Sequence, residues 1–166
     1  MKVSRRHPIS EKDLQEVLEE LRVSSGVSLR EVLTGLVEVA YVKDDDIERL
    51  LIKDDRVMAF ERHEGWLPTI HALLQLDEEN YDHVVIVDMG AVRPVASGAD
   101  IMVPGIVEVR GEFEEGDGVV VIDERNRRPL AVGIALMGAR EIEGSERGRA
   151  VRNVHHVGDR LWEARF

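Results

Sequence analysis

The sequence predicts an α+β chain in two parts: a mixed helix-and-strand segment over residues 1–80 and a small barrel-like β domain over residues 81–166. Three observations predict it. Apolar residues recur at helical spacing near the start, and from Val37 they change to short runs between acidic turns. After residue 80 they fall into six strand-length runs punctuated by Gly, Pro and Asn. A hydrophobic fraction of 43% over 166 residues supplies a core for one large domain or two small ones and excludes wholesale disorder.

Leu14, Val17, Leu18 and Leu21 share one face of a helix over residues 10–24, opened by Ser10 with Asp13 in a capping-box arrangement and stopped by Gly26. Ser28 with Glu31 predicts a second, short helix carrying Leu29, Val32, Leu33 and Leu36. Strands are expected at 37–42, 47–52 and 56–62, separated by turns at Asp44–Asp46 and Asp54–Asp55. Trp66-Leu67-Pro68 is expected to lead into a helix running to about Leu76, with Pro68 in its first turn. The run Asp77-Glu78-Glu79-Asn80 is the expected boundary. Beyond it, His83–Val87 reads as a strand, Gly90 as the start of a loop, and Gly98–Ile106 as one helical turn closed by Pro104-Gly105. Strands follow at 107–110, 119–123, 130–137, 151–156 and 161–165.

The formal charge is −11, with 11 basic against 18 acidic residues in 1–80 and 11 against 15 in 81–166. Residues 125–166 reverse the balance, with nine Arg and five acids. Such a chain is repelled by nucleic acid at long range, which argues against non-specific coating. A local arginine patch still acts at contact, because the Debye length is about 8 Å at physiological salt. No apolar run approaches the ~20 residues of a membrane span, and no apolar segment follows the basic start, so a cytoplasmic location is expected. The absence of cysteine removes disulfides, thiolate metal sites and cysteine nucleophiles.

Catalytic signatures fail one by one. There is no Gly-x-Ser-x-Gly elbow, and Gly111…Gly116 is followed by Asp117 rather than the lysine of a phosphate loop. Asp44-Asp45-Asp46 lacks the alternating ligands and glycine of a calcium loop and reads as a solvated hairpin turn. His155 and His156 are adjacent in an expected strand and point to opposite faces, so one is expected packed and one exposed rather than both on one metal. His63, His71, Glu61 and Glu64 match no standard zinc spacing, and packing or helix-end roles are expected for them. No catalytic residue, metal or cofactor is therefore assigned.

The most informative stretch is Ser97–Ile106. Ser97-Gly98-Ala99 removes side-chain bulk where the chain is expected to turn into a helix, which leaves backbone amides exposed as a cradle for an anion. Pro104-Gly105 then re-aims the chain into the next strand. The chemistry equally admits a tight loop needed only for packing, and Asp100 counts against an anion unless it caps the local amides.

The string from Ser97 to Ile106 resembles the signature of the PUA domain, an RNA-binding pseudo-barrel. Gly118–Ile122, Pro129–Gly133, Gly148–Val151, His155 and Leu161-Trp162 follow the same domain's strand order. In the first half, Phe60–Thr69, then Leu73-Leu74 and Val87–Val92, resemble the malignant T-cell amplified sequence family. The composition, rich in arginine and free of cysteine, resembles an archaeal stand-alone member of that family. The resemblance implies an N-terminal α/β pre-PUA domain over residues 1–80 and a C-terminal PUA pseudo-barrel of short, mostly antiparallel strands over 81–166.

The resemblance also implies a non-catalytic RNA-binding protein of the translation apparatus that binds the small ribosomal subunit or the tRNA acceptor region in initiation or recycling. The alternative is a tRNA- or rRNA-binding accessory of an RNA-modifying enzyme. The implied partners are structured RNA (rRNA or tRNA), the small ribosomal subunit and a separate protein carrying a SUI1-type domain, with no DNA or membrane. The implied contact residues are Ser97, Gly98, Ala99 and Asp100 of the loop, shaped by Pro104 and Gly105, with positive charge from Arg93, Arg128, Arg149 and Arg152. Bulk at Gly98 or Ala99 is expected to block RNA without unfolding the chain.

Overall fold

A computed structural model describes residues 1–166 as two sheets that share a hydrophobic core. The chain opens with a strand, β1 (Lys2–Pro8), that the patterning misses. It is an edge strand with nearly every side chain exposed, so it carries no alternating apolar signal. Helix α1 (Glu11–Ser25) forms as expected. The Ser10 side chain accepts the Asp13 amide at 3.1 Å, and Gly26 ends the helix in the left-handed region at φ 68°.

The second helix does not form. Residues 28–36 make a single turn, with the Leu33 amide donating to the Leu29 carbonyl at 2.8 Å. Leu29, Val32 and Leu33 are buried, but Leu36 is 68% exposed, and Gly35 at φ 72° breaks the helical run.

Strands β2 (Glu38–Lys43), β3 (Arg49–Lys53) and β4 (Arg56–Arg62) lie within two residues of their expected positions. Asp54 and Asp55 both take positive φ, 51° and 64°, in the turn between β3 and β4. Two left-handed residues give a hairpin the twist its strands need, and Asp tolerates that region. The Trp66–Pro68 stretch is a strand rather than a helix start. It forms β5 (Gly65–Pro68), and Pro68 sits opposite Ala59 on the free edge, where its missing N–H is harmless. Helix α2 (Ile70–Leu73) starts only afterwards, capped by the buried Thr69 hydroxyl. The five strands form an antiparallel meander in the order β1-β2-β3-β4-β5.

The second sheet contains β6 (Val84–Val87), β7 (Ile101–Met102), β8 (Ile106–Arg110), β9 (Gly118–Asp123), β10 (Pro129–Ala135) and β11 (Arg149–His156). Their order is β7-β11-β10-β9-β6-β8, antiparallel except for the β6–β9 pair. β7 and β8 are the two edges, yet only the 3-10 turn Val103–Gly105 joins them. The sheet must therefore curl until its edges come close, which makes the half-barrel.

Three expectations fail in this half. Gly90 does not begin a loop: Asp88 caps a helix, α3 (Met89–Ala96), by accepting the Ala91 amide at 3.0 Å. The helical turn expected across Gly98–Ile106 contracts to Val103–Gly105, because Ile101-Met102 pair with β11 as a strand. A short helix, α4 (Ala139–Glu143), follows β10, and the strand expected at 161–165 is the helix α5 (Arg160–Glu163). The Asp159 carboxylate caps α5 by accepting the Trp162 amide at 3.0 Å, a start signal that the apolar Leu161-Trp162 pair obscures.

The sequence period of two explains how the two sheets join. Strand β9, GVVVID, is buried at every position. Val120 and Ile122 face a core of 32 residues that includes Leu50, Phe60, Trp66 and Leu73 of the first half, whereas Val119 and Val121 face a second cluster of 15 inside the half-barrel. Val84 and Ile86 against Val85 and Val87 divide in the same way on β6.

Polar contacts lock the junction. The buried His155 accepts the Ile70 amide through Nε2 at 3.0 Å, and its Nδ1 lies 2.9 Å from Asp159 Oδ2. His71 stacks on Trp162 with ring centroids 4.1 Å apart. Arg160 pairs with Asp44, Nη2 to Oδ2 at 2.9 Å, so that hairpin turn is a clasp on the second half rather than a purely solvated one.

Candidate nucleic-acid interface

The candidate loop begins where α3 ends. Pro94 and the small residues after it let the chain tighten, and the amides of Ser97, Gly98 and Ala99 donate to the carbonyls of Pro94, Val95 and Pro94 at 3.0–3.1 Å. The loop therefore sits at a helix C-terminus, and its amides are already bonded. The anion cradle expected from exposed helix-start amides is absent, and what the loop offers is a closely approachable surface of small residues.

Asp100 is the strut of this loop. Its Oδ1 accepts the Asn153 amide at 2.9 Å, and its Oδ2 accepts Arg149 Nη1 at 2.9 Å. Burial works to raise its pKa, but these hydrogen bonds and the nearby Arg149 and Arg152 charges win and hold it below the usual carboxylate range. Asn153 stitches the other side, donating from Nδ2 to the carbonyls of Val95 and Ala99 at 3.0 Å. Its Oδ1 is buried at the base of the loop with no partner.

Gly98 sits at φ 103°, and a Cβ there would lie 3.0 Å from His156 Nε2. Bulk at Gly98 would thus strain the loop itself, contrary to expectation, whereas Ala99 is exposed and free to carry a larger side chain. His156 is the neighbour that the sequence does not reveal. It is partly exposed and its twin His155 is buried, as expected for adjacent strand positions, but nothing in the order of residues places β11 under the loop.

The four arginines do not form one patch. Arg149 is tied to Asp100, and Arg152 turns to the first half and pairs with Glu64, which also accepts Arg62 Nε at 3.1 Å. Both charges are locally cancelled. Arg93, on the last turn of α3, and Arg128, in the turn between β9 and β10, are exposed and have no carboxylate within ion-pairing distance. Arg128 precedes Leu130, whose carbonyl accepts the amide of Val157, the residue after His156. Pro104 lies on the turn between β7 and β8, and the Gly105 carbonyl accepts the Asp88 amide at 2.9 Å, so the two residues fix the approach of α3 to β8.

Of the His63, His71, Glu61 and Glu64 group only His63 and Glu64 meet, Nε2 to Oε2 at 3.4 Å. Glu61 chelates Arg49 at 2.6 and 2.8 Å, His71 stacks on Trp162, and the His63 side chain is 75% exposed. No three His, Asp or Glu side chains converge as a metal site. No helix is long and apolar enough to cross a membrane.

Comparison with known proteins extends these observations. The PUA domain family matches residues 83–157, and a domain of unknown function, DUF1947, matches residues 5–76. An uncharacterized protein of Methanocaldococcus jannaschii is 37% identical over 165 residues, 98% of each chain. Translation machinery-associated protein 20 of Saccharomyces cerevisiae is 30% identical, covering 90% of this chain and 87% of its own. Malignant T-cell-amplified sequence 1 of Danio rerio is 30% identical over 81% of this chain and 75% of its own. The crystal structure of a hypothetical protein from Pyrococcus horikoshii superposes with a TM-score of 0.80 at 35% identity, covering 96% of this chain and 98% of that one.

Proposed function

Because the chain belongs to the family of Translation machinery-associated protein 20 and Malignant T-cell-amplified sequence 1, we propose that it is a non-catalytic RNA-binding protein that docks on the small ribosomal subunit near the tRNA acceptor end. The observation that carries this reading is a small-residue loop, Ser97–Asp100, led into by the helix turn that bears Arg93, with Arg93 and Arg128 both exposed and free of any carboxylate partner. The loop lets a sugar-phosphate backbone come close without a side chain in the way. Arg93 and Arg128 then supply the charge-assisted hydrogen bonds that hold it.

Contacts of this kind fix position and orientation and carry no base code. They suit a structured RNA recognised by its shape. The mechanism is one of occupancy: a bound protein excludes or admits what next enters the same place, with no bond made or broken. Asp100, Asn153 and Arg149 act by holding the loop rigid. Arg152 belongs to the joint between the halves.

Fluorescence anisotropy with a labelled tRNA acceptor-stem RNA, with unlabelled small subunits as competitor, tests the reading. Saturable binding that small subunits displace supports it. Tight binding to the free RNA that subunits do not displace would move the function to an accessory of RNA modification.

A further inference from the structure

The far edge of the six-stranded sheet carries a second surface. β8 hydrogen-bonds to β6 on one side and to no strand on the other. Its register slips between Ile86 and Val87, and Val107, at the slip, is 51% exposed although apolar. Between β8 and α4 runs a groove of about 470 Å³ whose apolar wall includes Pro104, Ile106, Val107 and Ile142. Glu108, Glu143 and Glu146 form its polar wall. Glu143 and Val109 carry it on into a second depression of about 860 Å³, lined also by Glu114, Glu115 and Glu141.

Asp44, Glu61, Glu64 and Glu78 each hold an arginine, whereas none of the six glutamates 108, 114, 115, 141, 143 and 146 has a cation within ion-pairing distance. The one basic residue lining either depression, Arg140, reaches only Glu112, at 3.8 Å and fully in solvent. A free strand edge, an apolar strip beside it and an uncompensated acidic rim define one complementary shape: an extended chain that is apolar on one face and cationic on the other.

We propose that the β8–α4 groove docks an extended lysine- or arginine-rich segment of a partner protein, added as a further strand on β8. Its alternate apolar side chains sit on Val107 and Ile142, and its cations meet the glutamate rim. This surface is separate from Arg93, Arg128 and the loop of residues 97–100, and the inference stands without the RNA-binding reading.

The test is fluorescence anisotropy of the full chain with a fluorescein-labelled peptide of eight residues alternating lysine and valine. Saturable one-to-one binding is expected, weakened at least tenfold by Glu143→Lys with Glu146→Lys, and at least tenfold for the wild-type protein when the peptide amides on one edge are N-methylated. N-methylation alters only the ligand, so its effect is independent of protein folding. Binding indifferent to N-methylation is mere charge attraction and overturns strand addition. Absence of saturable binding overturns the proposal, as does a dimer in sedimentation velocity that Val107→Asp dissolves, since a second copy would then own the edge.

Discussion

Removing Arg93 and Arg128 together, as Arg93→Gln with Arg128→Gln, is expected to flatten the salt dependence of RNA binding. Each phosphate neutralised by a free cation contributes about 0.7–0.9 to the slope of log K against log salt, so two contribute roughly 1.4–1.8. Across a fourfold rise from about 50 to about 200 mM salt, that change equals roughly a 7- to 12-fold smaller loss of affinity. The paired arginines provide the internal contrast. Arg149 already faces Asp100 at 2.9 Å and Arg152 faces Glu64, so neither is a free cation that can neutralise a phosphate and release the counterions of the RNA in proportion. Arg149→Gln and Arg152→Gln should leave the slope within about 0.5 of the wild type, whatever they do to loop stiffness. Anisotropy titrations with one acceptor-stem RNA at four salt concentrations measure the slope of the wild type and of each variant. A wild-type slope in the Arg93/Arg128 variant, or a larger change from the paired arginines, would refute the charge assignment.

Other expected outcomes concern the fold that holds the loop. A Cβ on Gly111 would lie 1.7 Å from the Asp82 carbonyl oxygen at φ 92°, whereas Gly116 at φ 95° has open space around it. In urea unfolding Gly116→Ala should therefore cost about 1 kcal/mol and Gly111→Ala at least about 3 kcal/mol, and equal losses would discredit the close approach. Although burial opposes it, hydrogen bonds from His155, Trp162 and His156 hold Asp159 down to about 2. A depressed carboxylate adds stability that is full above its unfolded value near 4 and is lost as pH falls through 2. Acid unfolding of Asp159→Asn should accordingly begin from lower stability and fall less steeply between about pH 4 and 2 than the wild type. Because Val120 and Ile122 pack with Leu50 and Phe60 in one cluster, Phe60→Ala should cost about 3–5 kcal/mol and lower a single transition seen by both Trp66 and Trp162. Two separate transitions would contradict the shared core.

What was legible in the residues follows their physics. Leu14, Val17, Leu18 and Leu21 repeat at 3.6 residues and carry their own cap, so α1 forms where it is read. β9 up to Ile122 and all of β10 are apolar because both faces are covered, which the continuous apolar runs Val119–Ile122 and Leu130–Ala135 signal. β1 was illegible because an exposed edge strand needs no apolar alternation. Leu161-Trp162 read as a strand because its helical start depends on one carboxylate, Asp159, shared with His155 and His156 across the turn.

The loop of residues 97–100 is visible as a run of small residues, and of the two uses its chemistry admits, an amide cradle or a tight turn, the structure takes the second. Local sequence shows that amides lack side-chain cover, not that the preceding helix already uses them. Likewise arginine counts locate positive charge, while the pairing of Arg152 with Glu64, 88 residues away, is decided by the packing of one half on the other.

Co-sedimentation of the protein with purified small ribosomal subunits, wild type beside Ala99→Trp, tests the central claim most directly. Ala99 is exposed, and the bonds its backbone makes to Pro94 and Asn153 survive the substitution, so the variant keeps its fold. Saturable pelleting of the wild type, weakened at least tenfold by the tryptophan, is the predicted result. Pelleting that the tryptophan leaves unchanged, or no pelleting of the wild type at all, would contradict it.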